Sequence, residues 1–297
     1  MMDIGLVYAL LTGCIWAGVA SGYAAAARGR LAMAPFVAVA ASVGAVLGGA
    51  FTLHWPANPT WGEVAPVLAL IAASGAIGQS CMMLYGAAMT AAPEHSAATW
   101  TIVQTAMIIP FLAATLTGRE HASLCNWLAL PVILIAFRSL TPAGGESAGS
   151  SSKRRAWLGL LFAAFLLSGV SQALAQEISL RGLRDTLNLR VFVALASGGL
   201  VLWVVAVLRR QYPTSRHWLI GGLTGVVVAA GNVTLFAALD VSAAAGRAYL
   251  VFPVCVGGSI LAFAACQSVM GRESWHVKKV IGLACGLAGI ALLGWRR

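Results

Sequence analysis

The chain has 297 residues, of which 60% are hydrophobic and only 9% charged, with 19 Lys and Arg against 9 Asp and Glu. Soluble globular proteins carry about 25% charged residues, so this composition excludes a soluble enzyme, a disordered chain and a secreted disulfide scaffold. What remains is a multi-pass membrane protein with the lipid bilayer as its main solvent. The net charge of +10 does not indicate nucleic-acid binding, because the cations lie in short breaks between apolar runs.

In chain order, ten apolar runs approach the roughly 20 residues that a membrane-spanning helix needs. The runs are continuous, rich in Ala and Leu, and lack two-residue alternation, which predicts helices and not strands. The expected fold is an all-α membrane protein with ten transmembrane helices in the cell (inner) membrane. The predicted spans are 4–27, 32–53, 64–89, 97–117, 124–140, 156–177, 190–208, 218–239, 248–270 and 279–295.

The break between the fifth and sixth spans differs from the others. Residues 141–155 read TPAGGESAGSSSKRR, a Gly- and Ser-rich segment ending in three cations. This composition predicts a flexible linker. The linker divides the chain into two units of five helices each, residues 1–140 and 156–297.

The two units are similar to each other at a separation of 153 residues. Gly78-Gln79 aligns with Gly231-Asn232, and the Gly-Arg-Glu sequence at 118–120 aligns with the one at 271–273, without a gap. Five is an odd number, so a second copy enters the membrane in the opposite orientation. The sequence therefore predicts two inverted five-helix repeats, an arrangement with which many secondary transporters bind substrate near the bilayer midplane.

A duplication of five helices, with a Gly-Arg-Glu turn after the fourth and ninth and a Gly-rich last helix, resembles the drug/metabolite transporter superfamily. The resemblance covers the whole chain, and its fairly specific part is the pair of Gly-Arg-Glu turns. It implies a transporter of small metabolites with the substrate path between the two units. The basic first loop, together with Gly78, Gln79 and Tyr85, is similar to the sugar-uptake branch, the rhamnose and glucose permeases.

The cations are unevenly divided between the two sides of the predicted membrane. Twelve lie on the side of the first loop and seven on the other, which predicts a cytoplasmic first loop and both termini outside. The commonest pattern of the superfamily has both termini inside, so the resemblance and the charge count disagree. The twelve are Arg28, Arg30, Arg138, Lys153, Arg154, Arg155, Arg209, Arg210, Arg216, Arg272, Lys278 and Lys279; the seven are Arg119, Arg181, Arg184, Arg190, Arg247, Arg296 and Arg297.

Polar side chains inside the apolar runs are candidates for a substrate site, because an unpartnered polar group is costly in hydrocarbon. Gln79 and Asn232 are equivalent in the repeat, and their amides suit a neutral hydroxylated or zwitterionic ligand; bracing between helices is the alternative. Gln104 lies one helical turn after Trp100, and an amide beside an aromatic ring commonly binds sugars and aromatic compounds. The predicted substrate-binding residues are Gln79, Tyr85, Trp100, Gln104, Gln172, Asn232 and Trp16.

Four residues near helix ends are candidates for gating or for coupling to a proton or sodium ion: Glu94, His95, Arg247 and Asp240. Glu94 and Arg247 occupy equivalent repeat positions with opposite charges. The helix dipole disfavours a cation at a helix N-terminus, so we expect Arg247 to pair with Asp240 or to attract an anionic substrate. His95 titrates near neutral pH and suits proton coupling, with an exposed loop histidine as the alternative.

No Gly-rich nucleotide loop followed by lysine, metal-ligand cluster or nucleophile motif occurs in the sequence. We therefore predict no cofactor, no metal and no catalytic residue. The leading hypothesis is a secondary active transporter that moves a small polar or amphipathic metabolite by alternating access. The alternatives are a membrane-embedded enzyme, using Glu177 with Asp185 or Glu120 with His121, and a structural membrane subunit without transport activity.

Overall fold

The structure is a computed structural model that describes residues 4–51, 61–116, 123–140, 151–180, 187–245, 250–270, 276–293 and 295. Every regular element in these ranges is helical, as the sequence predicts. The α-helices are α1 (Ile4–Arg28), α2 (Met33–Phe51), α3 (Trp61–Ala91), α4 (Ser96–Gln104), α5 (Ile108–Leu116), α6 (Leu124–Leu140), α7 (Ser151–Leu180), α8 (Leu187–Leu208), α9 (Ser215–Ala244), α10 (Val251–Val269) and α11 (Val277–Leu293).

Within the described ranges, eight helical segments are long and apolar enough to cross a membrane. They are α1, α2, α3, the segment Pro93–Ala113, α7, α8, α9 and α10. A helix satisfies its own backbone hydrogen bonds, which is what a continuous apolar run requires in hydrocarbon. The α-helical, multi-pass membrane architecture is therefore confirmed. The helices α6 and α11 have 17 residues each and coincide with the fifth and tenth predicted spans, so the count of ten crossings stays a prediction.

The last five residues of the predicted linker are helical. Because α7 begins at Ser151, residues 151–155 belong to that helix, and the prediction of a flexible chain is wrong for them. Lys and Arg are good helix formers, and Ser favours the first positions of a helix. Local helix propensity therefore extends α7 toward the N-terminus, beyond the apolar run. Residues 141–150 lie outside the described part.

The fourth predicted span is interrupted instead of continuous. A short 3₁₀ helix, Pro93–His95, precedes it, and a second one, Thr105–Met107, separates α4 from α5 within it. Pro110 has no N–H to offer the carbonyl of Ala106, and its ring crowds that carbonyl, so the chain tightens at this point. The interruption lies near the middle of the segment.

Two pairs of helices cross the interior in opposite directions. Helix α1 packs antiparallel to α9, and α3 packs antiparallel to α7, because rising residue numbers on one helix meet falling numbers on the other. The contacts that fix these directions are Thr12 with Thr234, Gly22 with Thr224, Ser74 with Ser171, and Cys81 with Ala164.

Four further pairs of helices are in close contact, two antiparallel and two parallel. Helices α2 and α8 are antiparallel, as are α6 and α11, while α2 runs parallel to α9 and α3 runs parallel to α8. The residues in contact are Gly44 with Leu195, Gly48 with Val191, Gly282 with Leu140, Gly289 with Ile133, Gly221 with Phe36, Gly225 with Ala40, Gly75 with Ala194, and Gly198 with Gln79. These directions place the turns at 29–32 and 209–214 together at one end, which we name the basic end because Arg28, Arg30, Arg209 and Arg210 lie there.

Helices α3 and α8 approach most closely at Gly75. A Cβ atom there would overlap the backbone of Ala194, which has no freedom to move aside. We expect Gly75→Ala to lower the free energy of unfolding by about 1–3 kcal/mol, because overpacking a rigid contact separates the helices. Reversible unfolding of the purified protein in mixed micelles measures this change.

Gly222→Ala is the matched control, because a Cβ atom on Gly222 would meet no atom within 4 Å. Alanine is favoured over glycine inside a helix by about 0.5–1 kcal/mol, so this variant should be neutral or slightly more stable. Equal effects of the two substitutions would contradict the close approach at Gly75.

Candidate substrate cavity

A central cavity of about 180 Å³ lies between helices from both predicted units. Its volume greatly exceeds the roughly 10–15 Å³ that one water needs. Five of the seven predicted substrate residues line it: Trp16, Gln79, Gln104, Gln172 and Asn232. The other lining residues are Val19, Tyr23, Ser74, Gly75, Gly78, Cys81, Met82, Ser168, Ser171, Ala175, Ala194, Leu195, Val228, Leu235, Phe236 and Phe252.

The repeat-equivalent amides Gln79 and Asn232 both reach the central cavity, one from α3 and the other from α9. In each case the preceding glycine lies against a side chain of the antiparallel neighbour: Gly78 against Ser171, and Gly231 against Trp16. A side chain at either glycine would displace that neighbour. The small residue therefore sets the helix spacing at which the next residue faces the cavity.

Gln104 lies at the interruption of the fourth segment. It is the last residue of α4, is 5% exposed, and its side chain makes no hydrogen bond within the described part of the structure. Interrupted helices near the middle of a membrane protein frequently line binding sites, because local unwinding supplies polar groups at that depth. The break aims the amide at the cavity and leaves both its donor and its acceptor available.

Two other amides are partly engaged. The Nε2 atom of Gln172 donates to Ser168 Oγ at 3.1 Å, while the Oε1 atom is buried without a hydrogen-bond partner. The Nδ2 atom of Asn232 donates to the carbonyl oxygen of Val228 at 2.9 Å. Both side chains are thereby held in place with their oxygen atoms left to accept further hydrogen bonds.

Tyr85 and Trp100 do not line the central cavity. They belong to an aromatic cluster that also contains Tyr23, Phe36 and Phe263, all buried. Ring centroids are 5.1 Å apart for Tyr23 and Phe36, 5.5 Å for Tyr23 and Tyr85, 5.2 Å for Tyr85 and Trp100, and 6.1 Å for Trp100 and Phe263. Because Tyr23 also lines the cavity, the cluster closes the cavity toward the basic end.

Asp240 pairs with Arg190, a partner that the sequence did not suggest. The Nη1 atom of Arg190 lies 3.1 Å from Oδ1 of Asp240, and the two side chains are 1% and 13% exposed. The guanidinium also lies over Phe236, 5.9 Å from the ring centroid. Arg190 was counted among the loop cations, yet it lies inside the bundle. Without Arg190, twelve cations are assigned to the side of the basic end and six to the other side. This distribution favours a cytoplasmic basic end.

Glu94 and His95 do not line the central cavity. Glu94 and His95 form the short helix before α4, where Glu94 is exposed and His95 Nε2 lies 4.0 Å from Glu94 Oε1. The His95 ring lies 6.1 Å from the ring of Trp157. Arg247 lies outside the described residues, as do both Gly-Arg-Glu turns.

The part of the chain that the structure describes contains no cluster of potential metal ligands. No group of three or more His, Cys, Asp or Glu side chains there is close enough to hold a metal ion. Each pair suggested for an enzyme, Glu177 with Asp185 and Glu120 with His121, includes at least one residue outside the described ranges.

Sequence analysis missed three serines of the cavity wall, Ser74, Ser168 and Ser171. Ser74 and Ser171 hydrogen-bond each other across the contact of α3 with α7, with their Oγ atoms 3.3 Å apart. Serine is common in apolar helices and satisfies itself on its own backbone, so its presence alone carries little signal. The repeat alignment does not reveal these residues either, because it was anchored on the amides.

No protein-family model matches the chain, and no curated protein is detectably similar to it. Fourteen chains of known structure are similar in fold. One of them, described as the crystal structure of a protein, superposes with a TM-score of 0.61 at 17% sequence identity. The match covers 98% of this chain and 95% of the other, so the two share a fold over nearly their whole length.

Proposed function

We propose that the protein is a secondary active transporter of the drug/metabolite transporter type. It carries a small polar or amphipathic metabolite across the cell membrane by alternating access between two inverted five-helix repeats. The observation that carries the proposal is the central cavity, which the repeat-equivalent residues Gln79 and Asn232 both line. Amide and serine side chains on the wall of a cavity near the middle of apolar helices are costly unless a polar ligand or water uses them.

The helix directions support the inverted duplication. Under the predicted duplication, α1 is equivalent to α7, α2 to α8 and α3 to α9. The contact of α1 with α9 is then equivalent to the contact of α7 with α3, and both are antiparallel. The same equivalence relates the parallel contact of α2 with α9 to that of α8 with α3, which is also parallel. Helices α2 and α8 exchange with each other. Two units related in this way rock about a central site and open it to one side at a time.

The two ends of the bundle differ in a way that alternating access requires. The aromatic cluster closes the cavity toward the basic end, whereas Ser171 to Glu177 of α7 are half-buried throughout, near the opposite end. With the basic end cytoplasmic, this conformation is closed to the cytoplasm and looser toward the outside. Transport then draws on a proton or sodium gradient or on exchange of metabolites.

Flux through purified protein in lipid vesicles tests the proposal. A mixture of sugars, amino acids, nucleosides and other small metabolites is supplied on one side, and uptake is followed by mass spectrometry. At least one compound should enter in a protein-dependent and saturable manner. Absence of flux for every compound, with correctly folded protein, would count against transport and leave the structural-subunit alternative.

Gln104→Leu should reduce flux of the transported compound by about five- to tenfold, since one hydrogen bond to the ligand is worth about 1–1.5 kcal/mol. Leucine preserves the volume of the side chain and removes its donor and acceptor. Gln211→Leu, in the turn between α8 and α9, is the matched control and should leave flux unchanged. Equal flux in both variants would remove Gln104 from the site.

A further inference from the structure

The described lining of the central cavity contains no charged side chain. Its polar members are serines and the four amides, together with Cys81, Tyr23 and the indole of Trp16. A charged ligand entering such a cavity loses its hydration without meeting a counter-charge, which is unfavourable in low dielectric. The cavity wall therefore disfavours ions of either sign.

The hydrogen-bonding capacity of the wall is largely unused. Neither the Gln79 nor the Gln104 side chain makes a hydrogen bond within the described part of the structure, and Gln172 Oε1 is buried without a partner. Amides offer donors and acceptors together, so they are satisfied by a ligand that carries both. A neutral molecule with hydroxyl, amide or ring N–H groups meets that condition.

Aromatic side chains supply the rest of the surface. Trp16, Tyr23, Phe236 and Phe252 line the cavity from three helices, α1, α9 and α10. Flat apolar faces beside amides fit a ligand with a ring frame and polar edges.

A cation lies against one residue of this wall. The guanidinium of Arg190 is 5.9 Å from the ring centroid of Phe236, whose side chain lines the cavity. Arginine stays protonated in proteins, so its charge is permanent. Asp240, 3.1 Å from the guanidinium, compensates that charge close to its source. Without Asp240 the field of Arg190 would extend through the Phe236 side chain into the cavity.

We propose that the central cavity accepts uncharged ring compounds with hydrogen-bonding edges, and that Asp240 determines this charge selectivity by neutralising Arg190. The inference rests on the proposed function only in requiring that small molecules reach the cavity from water. Asp240 acts here through Arg190 and not by contact with the ligand.

Thiol-reactive reagents of different charge test the inference without knowledge of the substrate. Ala175→Cys places a thiol on the cavity wall in α7. Its rates of modification by neutral methyl, cationic trimethylammonioethyl and anionic sulfonatoethyl methanethiosulfonates are measured by peptide mass spectrometry, which resolves it from the native cysteines. The rates at which the same three reagents modify 2-mercaptoethanol give the intrinsic reactivity of each reagent toward a free thiol.

We expect the cation-to-anion rate ratio in Ala175→Cys to match that of 2-mercaptoethanol within about threefold. Adding Asp240→Asn should shift the ratio toward the anionic reagent on the order of tenfold, and Arg190→Gln should shift it toward the cationic reagent. The double substitution Arg190→Gln with Asp240→Asn restores the ratio. It also provides a readout in which both charges are removed together if a single variant fails to fold.

A tenfold or greater charge preference in the parent protein would overturn the inference, as would an unchanged ratio in Asp240→Asn. Lack of modification even by the neutral reagent would also overturn it, because the cavity would not admit small molecules. If the protein supports flux but its cavity is strongly charge-selective, this inference is wrong and the transport proposal stands. A charge-balanced, reachable cavity without flux defeats only the transport proposal.

Discussion

Arg190→Ala should lower the free energy of unfolding by about 3–5 kcal/mol, the loss expected when one partner of a buried ion pair is removed. The Arg190 side chain is 1% exposed and that of Asp240 is 13% exposed, so the carboxylate left behind is poorly hydrated. The arginine stem also packs inside the bundle, and its removal leaves a void. Titration of the purified protein with sodium dodecyl sulfate, followed by circular dichroism, measures the change.

Two controls separate charge from packing in this experiment. Arg216→Ala removes an exposed cation at the start of α9 and should change stability by less than about 0.5 kcal/mol. The double variant Arg190→Met with Asp240→Leu replaces the ion pair by an apolar pair and should recover most of the loss, as such replacements often do. If Arg190→Ala behaves like Arg216→Ala, the ion pair does not contribute to the fold.

Trp100→Ala should also cost about 3–5 kcal/mol, the usual range for removing a buried aromatic side chain. Trp100 is 4% exposed, its Nε1 donates to Ser259 Oγ at 3.3 Å, and its ring contacts Tyr85 and Phe263. Loss of the indole removes the ring that joins Tyr85 to Phe263 in the aromatic cluster. We therefore expect water to reach the cavity from the basic end, which should speed modification of Cys81 by the neutral thiol reagent.

Trp100→Phe keeps a ring in the cluster and loses only the indole hydrogen bond. It should cost about 1 kcal/mol and leave the reactivity of Cys81 unchanged. Trp218→Ala serves as a second control, because Trp218 is 53% exposed. An equal rate of Cys81 modification in Trp100→Ala and Trp100→Phe would contradict the role of the cluster as a closure.

The interruption at Thr105–Met107 illustrates how local sequence and packing combine. Pro110 is visible in the sequence, and it restricts the carbonyl four residues earlier, yet the fourth span was predicted as continuous. A proline inside a membrane helix is often accommodated by a bend alone. Whether the chain bends or tightens depends on the neighbouring helices α7 and α10, and a hydropathy pattern contains no information about them.

The sequence by itself determined the solvent of the protein, the helical class, the positions of the apolar segments and the polar residues buried within them. These follow from local composition, because hydrocarbon requires every backbone group of a segment to be satisfied within that segment. Of seven residues proposed for substrate, five line the same cavity, because polar side chains in apolar helices share a single polar interior. Tyr85 and Trp100 lie behind that interior, in the aromatic cluster.

Only the tertiary structure decided which residues are partners. Asp240 lies 50 residues from Arg190, and nothing in the sequence indicated that these two residues are in contact. The packing of α8 against α9 brings Arg190 to the carboxylate, because contacts between helices do not follow proximity along the chain. The direction and spacing of helices depend on side chains of both neighbours at once, so the pairing emerges only when the bundle is assembled.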